Sequence, residues 1–378
     1  MRSLLVALLL LLPQEKKQDD VIIVGRENWE KPWVPDLKKP GAKIAIAEAK
    51  RVDVLILPDG YLASERDAFE KDVKAWYDRF LTYTPWKQFC GAFRVRGYWR
   101  ASDARSNGDR KSRFAIPVGA SGVGDVNTKE VRAALFGELE KLEFNTAGDR
   151  RYSHAVAVIL MKDDRGRNPS GLTRSLSSPD DKHSIPVCFA AYTHHEFGHG
   201  YGGLRDEYIN KPGEKSGRKQ SATINLWSVD NLSSTKELKS LPWAHLSPGS
   251  KLNPDKDSVV GACWIGGGAE EGIWHCEGRC LMNGTHENWD FQKTKRGAGL
   301  RDNDRFCFWC EELVVARTLG RTGQLGDSAD GEALWKRWEE LRPLYHKLFD
   351  VAGRIKAQND ANARAKFADA KIFERPTP

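Results

Sequence analysis

The segment His195-Glu196-Phe197-Gly198-His199 places two imidazoles four residues apart with a carboxylate beside the first. On a helix of about 3.6 residues per turn, positions four apart lie on one face, so both rings can reach a single metal ion. Glu196 then points to a water on the open side of that ion. Zinc brings the ionisation of such a water near neutral pH, and a neighbouring carboxylate can take its proton as it attacks a carbonyl. The chemistry implied is zinc-assisted hydrolysis, with the peptide bond as the leading target.

The flanking residues fit a metal site. Ile185 to Ala190 is a short apolar run that reads as a strand entering the helix. Gly200, Gly202 and Gly203 cannot sustain the helix and mark a sharp turn after His199. Leu204-Arg205-Asp206-Glu207-Tyr208 then returns two carboxylates. An ion held by two imidazoles needs a third protein ligand and an open position, and Asp206 or Glu207 can supply that ligand. Asp206 is preferred, as a short side chain just after the turn, while Arg205 occupies the position where a third histidine is common in such proteases. His194 projects from another side of the helix and reads as core or as support for the ligands. Tyr208 is a candidate donor to a developing oxyanion, the alternative being packing against the turn. Met282 stands out because the chain has three methionines and one is the initiator. A thioether can pack under imidazole ligands without competing strongly for the ion.

Several blocks, in order, resemble the IgA-specific metallopeptidases, a zincin family. Val52 to Tyr61 is similar to the family's opening strand with its Asp-Gly-Tyr ending, and His195 to Tyr208 to its active-site run. Cys280-Leu281-Met282 and Phe306-Cys307-Phe308-Trp309-Cys310 resemble its closing blocks. The resemblance implies a zinc endopeptidase with a metzincin-like domain, in which His195, His199 and Asp206 bind zinc. It further implies Glu196 as general base and acid, and Met282 as the methionine turn beneath the metal. It does not carry over the substrate.

The elements that must position these residues alternate between strand and helix. Val21 to Val24, Val52 to Leu57, Phe93 to Trp99 and His154 to Met161 read as strands, the second and fourth as buried ones. Ser64 reads as the N-cap of a helix with Phe69, Val73, Trp76, Tyr77 and Phe80 along one stripe. Val131 to Leu142 reads as a second helix. The polar stretch from Lys162 to Lys182 reads as a loop, which makes the strand at Ile185 the sheet edge beside the active-site helix. Asn210 to Gly268 reads as irregular structure around the cleft. Leu334, Trp338, Leu341, Tyr345 and Leu348 recur at helical spacing across Pro343. The fold class expected is α/β: a metzincin-like zinc peptidase domain over residues 51–320, with a twisted mixed sheet. A signal segment (1–20) and an N-terminal extension (21–50) are expected before it, and a helical appendage (321–378) after it.

The motif and the resemblance imply a protein or peptide substrate, and composition bears on the other partners. A content of 40% hydrophobic residues describes a globular chain. The charge of +7 arises from 59 basic and 52 acidic residues that are interspersed, with no nucleic-acid recognition module. Leu4 to Leu12 is too short to span a bilayer and suits a secretory signal, so a secreted or periplasmic protein without stable membrane insertion is expected. Seven cysteines fit an exported chain with a few disulfides. Cys276, Cys280, Cys307 and Cys310 have spacing compatible with a second zinc site, but export favours disulfides or buried thiols there. Cys90, Cys188 and Cys263 read as small buried side chains or bridge partners. Two rival readings are a zinc hydrolase cutting a non-protein amide, such as a cell-wall crosslink, and a non-catalytic zinc-binding scaffold.

Overall fold

Strands Val52–Asp59 and Ala155–Met161 are buried from end to end. A strand with both faces buried must have a layer on each side. In the computed structural model the residues described are 20–106, 112–119, 122–141, 155–163, 172–177, 184–189, 194–219, 224–247, 260–277, 280–283, 305–364 and 373–374. The two buried strands lie side by side at the centre of a six-stranded sheet. In chain order its strands are β1 (Val21–Ile23), β2 (Val52–Asp59), β3 (Phe93–Tyr98), β4 (Ala155–Met161), β5 (Leu172–Ser177) and β6 (Ser184–Phe189). Their spatial order is β1-β3-β2-β4-β6-β5. The inner four run parallel, and the two edges, β1 and β5, run antiparallel to their neighbours.

Alternation along the central strands divides the core in two. Val52, Val54 and Ile56 of β2 join Val156, Val158 and Leu160 of β4 in one apolar cluster. Leu55 and Leu57 join Ala157, Ile159 and Met161 in another. Helix α1 (Arg66–Phe80) covers the first face with Phe69, Val73, Trp76, Tyr77 and Phe80, the predicted stripe. Helix α2 (Lys129–Lys141) covers the second with Val131, Leu135 and Leu139. This is the expected α/β class. The first face also receives α3 (His194–Gly200), α4 (Phe308–Arg321) and α5 (Gly331–Leu348).

The C-terminal helices are part of that core. Leu334, Trp338, Leu341 and Tyr345 of α5 are buried in the same cluster as β2. At about 2 kcal/mol for each fully buried large apolar side chain, they hold the helix firmly in place. Polar locks add to this: Glu311 of α4 accepts from Tyr345 Oη at 2.5 Å and from Arg354 of α6 (Val351–Arg364) at 2.8 and 2.7 Å.

Four expectations change. The edge of the sheet is β5, inside the stretch read as a loop, and the strand at Ile185 is second from the edge. Only Leu176 of β5 is fully buried, so its polar, exposed positions hid the strand. Ser64 is not the N-cap: α1 begins at Arg66, and the carboxylate of Glu65 accepts from the backbone N–H of Leu62 at 2.8 Å. The N-terminal extension contributes β1 to the main sheet, pairing Val21 with Tyr98. The segment after Asn210 carries short strands, Ile209–Lys215 pairing with Gly268–Glu271, between irregular stretches. The leucine-rich segment Leu4 to Leu12 lies outside the described residues, among which no helix is long and apolar enough to cross a membrane.

Candidate metal centre

Helix α3 has seven residues, too few to persist alone, and packing fixes its position. The ring of Phe197 sits 5.1–5.8 Å from those of Trp76, Phe80, Trp86 and Tyr201. His194 is fully buried against Trp76, with ring centroids 4.5 Å apart. Burial, with the Arg79 charge adding to it, draws its pKa down to about 3, so it is a neutral core ring.

His195 and His199 face the cleft. Nδ1 of His195 lies 2.8 Å from the carbonyl oxygen of Leu281, and Nδ1 of His199 lies 2.7 Å from that of Leu204. A carbonyl only accepts, so each ring carries its proton on Nδ1 and turns the Nε2 lone pair inward. The two Nε2 atoms are 3.0 Å apart. Asp206 Oδ1 lies 2.9 Å from one and 3.2 Å from the other. Three acceptors thus face one another, an arrangement that is costly unless a cation or a proton sits among them. Neighbouring ligand atoms of a tetrahedral zinc are about 3.3 Å apart for bonds of about 2.0 Å, so the residues fit that ion. Burial opposes ionisation of Asp206, but the hydrogen bonds and charges of the two imidazoles outweigh it and hold the carboxyl well below its usual range. Burial likewise opposes a charged His199, yet the hydrogen bond and charge of Asp206 raise that ring above the ordinary imidazole value. Without metal the centre therefore retains a proton on this pair to higher pH, which a bound cation would have to displace.

The turn that delivers Asp206 is held from several directions. Gly203 has φ of +59°, a conformation glycine adopts without strain, and its N–H donates to the His199 carbonyl at 2.9 Å. Buried Arg317 of α4 donates to the carbonyls of Gly202, Leu226 and Val229. Asn231 accepts from the N–H of Arg205 at 2.8 Å and donates to its carbonyl at 2.9 Å. The Arg205 side chain pairs with Asp230 at 3.0 Å, which leaves Asp206 to the imidazoles. Glu207 turns the other way, into a buried pocket of cysteines. Met282 lies beneath α3: a Cβ on Gly198 would come within 2.7 Å of its sulfur. Glycine at 198 is what permits this close approach.

Glu196 is fixed by the unexpected strand. Thr173 Oγ1 of β5 lies 2.7 Å from Glu196 Oε2 and 2.8 Å from its backbone carbonyl. The cleft in front of the histidines has a volume of about 470 Å³, and Leu172, Thr173, Arg174, Leu204 and Tyr208 contribute to its walls. The Tyr208 ring is 6.1 Å from that of His195. Burial, then the Asp206 charge and a hydrogen bond to Asp206, push its phenol upward, so the hydroxyl stays protonated. Replacing Thr173 by valine keeps the shape and removes the donor to Glu196. If the centre is catalytic, the expected result is a fall in kcat of about tenfold with KM and metal content unchanged, read by steady-state kinetics and metal analysis.

The fold brings the predicted His195, His199 and Asp206 together, with Glu196 beside them and Met282 beneath, while Thr173, Asn231 and Arg317, which hold these residues in place, carried no sequence signal. No two of the seven cysteines lie at disulfide distance in this structure. Cys280, Cys307 and Cys310 converge with Glu207 instead of pairing. Cys188 donates to the Glu196 carbonyl at 3.3 Å, Cys263 is buried, and Cys90 donates to Asn28 at 3.3 Å. Compared with known proteins, the chain matches no family model and no curated sequence.

Proposed function

We propose that the protein is a zinc-dependent metallopeptidase that hydrolyses internal peptide bonds of protein substrates, acting after export. The observation that carries this reading is the convergence of three acceptors, His195 Nε2, His199 Nε2 and Asp206 Oδ1, beside the carboxylate of Glu196 and an open cleft. The sequence resemblance to the IgA-specific metallopeptidases, with their metzincin-like fold, agrees with it. Three protein ligands leave a coordination position for substrate, as catalytic zinc sites do and structural ones do not.

When bound, zinc would acidify a water molecule and polarise the scissile carbonyl. The carbonyls of Leu281 and Leu204 hold the proton of each ring on Nδ1 and aim Nε2 inward. Glu196 accepts the proton of the attacking water on a carboxylate oxygen and returns it to the nitrogen of the leaving amine. Thr173 holds that carboxylate in place. Tyr208 supplies a protonated hydroxyl on the same wall, available to the oxyanion that develops on the carbonyl oxygen. Strand β5 is the sheet edge and lines the cleft, so an extended peptide can pair with its outward N–H and C=O groups. Main-chain pairing of that kind favours a peptide over a small amide.

Incubation with a mixture of intact proteins tests this reading. New internal termini are expected from the zinc-loaded protein, none after chelation, and recovery when zinc is returned. A fully metallated protein that generates no internal termini, while hydrolysing a small amide or a cell-wall crosslink, would exclude the peptidase.

A further inference from the structure

Behind the first centre, Glu207, Cys280, Cys307 and Cys310 bring one carboxylate and three sulfurs within 4.8 Å of one another. All four residues are fully buried. Glu207 Oε1 lies 3.0 Å from Cys310 Sγ and 3.7 Å from Cys307 Sγ. Asn231 donates to that oxygen at 3.1 Å, while Oε2 has no hydrogen-bond partner among the described residues. His275 Nδ1 is 3.5 Å from Oε2, but it is directed to the carbonyl of Glu277 at 2.9 Å. A buried carboxylate oxygen left in this way is costly unless a proton or a cation meets it, and the three sulfurs beside it supply the donor set for a cation.

The backbone around the sulfurs is arranged for thiolates. The N–H groups of Met282 and Cys307 point at Cys280 Sγ, at 3.4 and 3.2 Å, and that of Cys310 points at Cys307 Sγ at 3.4 Å. Cys307 is also the N-cap of α4, where the positive end of the helix favours negative sulfur. We infer that Glu207, Cys280, Cys307 and Cys310 form a second, closed metal site that takes one zinc ion or a similar thiophilic divalent cation. Loading releases the three thiol protons, and that of the Glu207 carboxyl where it is protonated, to solvent and joins three sulfurs and one carboxylate oxygen to the ion. Four protein ligands and full burial leave no position for substrate, so the site is structural.

Its position explains what it would stabilise. Glu207 follows Asp206 directly, and its N–H donates to the Met282 carbonyl at 2.8 Å. Cys280 precedes Leu281, whose carbonyl orients His195. Cys307 and Cys310 open α4, which carries Arg317 and so pins the glycine turn. One ion would therefore tie together the three segments that shape the first centre. The inference stands whether or not that centre hydrolyses peptide bonds.

The test uses the full chain carrying His195→Ala and His199→Ala, which dismantles the first centre only. With cobalt(II) as the probe, one equivalent per chain is expected to remain and to show thiolate-to-cobalt charge-transfer absorption. Adding Cys310→Ser should abolish that absorption, whereas Cys276→Ser, outside the ligand set, should leave it. Should Cys310→Ser fail to fold, titrating the zinc-loaded parent with a mercurial should release one zinc as three thiols are modified. Retention of no metal, retention without a thiolate signature, or disulfide-bonded cysteines in the purified protein would each overturn the site.

Discussion

Glu196→Gln is expected to leave a folded protein with its zinc content unchanged and to lower kcat/KM for peptide cleavage by about a thousandfold. Glutamine has nearly the same shape and can still accept from Thr173, whose hydroxyl lies 2.7 Å from Glu196 Oε2 in the native site. It has no basic oxygen to take a proton from water. A positioned general base is worth about 10²–10⁴-fold, so loss of that group alone accounts for roughly 4 kcal/mol of barrier. Because Glu196 is not among the three converging ligand atoms, binding of the ion should survive. Rates comparable to the parent in a metallated variant would remove Glu196 from the mechanism.

His199→Ala should have the opposite pattern, with the ion lost first and the activity with it. Removing one of three protein ligands is expected to weaken zinc binding at this centre by about a thousandfold or more, roughly 4 kcal/mol. The metal-free protein should respond differently. There, the pairing of the protonated ring with Asp206 and its bond to the Leu204 carbonyl are lost with the side chain. The variant should therefore be somewhat less stable than the parent without metal and should also gain less on adding zinc, because stabilisation by a ligand follows its affinity. Melting curves with and without zinc check both halves. Equal gains in stability from zinc in parent and variant would mean that His199 is not a ligand.

The α/β layering was legible because β2 and β4 are uninterrupted apolar runs and α1 carries an unbroken helical stripe. The convergence of His195, His199 and Asp206 was legible because it depends on spacing within one helix and one turn. Other features had no such local signal. β5 has one fully buried residue among polar ones, so neither its existence nor the role of Thr173 could be read from alternation. Asn231 and Arg317 act on backbone carbonyls and N–H groups of segments remote in sequence, a function that any side chain with the right reach can fill. The choice between Asp206 and Glu207 stayed open for a different reason. Adjacent residues in an extended segment point to opposite sides, so one had to turn from the imidazoles, and only packing decides which. In the fold Glu207 turns to the cysteines. Glu207 thus proves to be a candidate ligand of a different site.

Anomalous diffraction at the zinc edge, from crystals of the zinc-loaded protein, would locate the ion itself. A peak is expected about 2.0–2.2 Å from His195 Nε2, His199 Nε2 and Asp206 Oδ1, with solvent at the fourth position and no further side chain bound. A zinc-saturated crystal with no peak at these atoms, or a peak there enclosed by four protein ligands, would contradict an open three-ligand site.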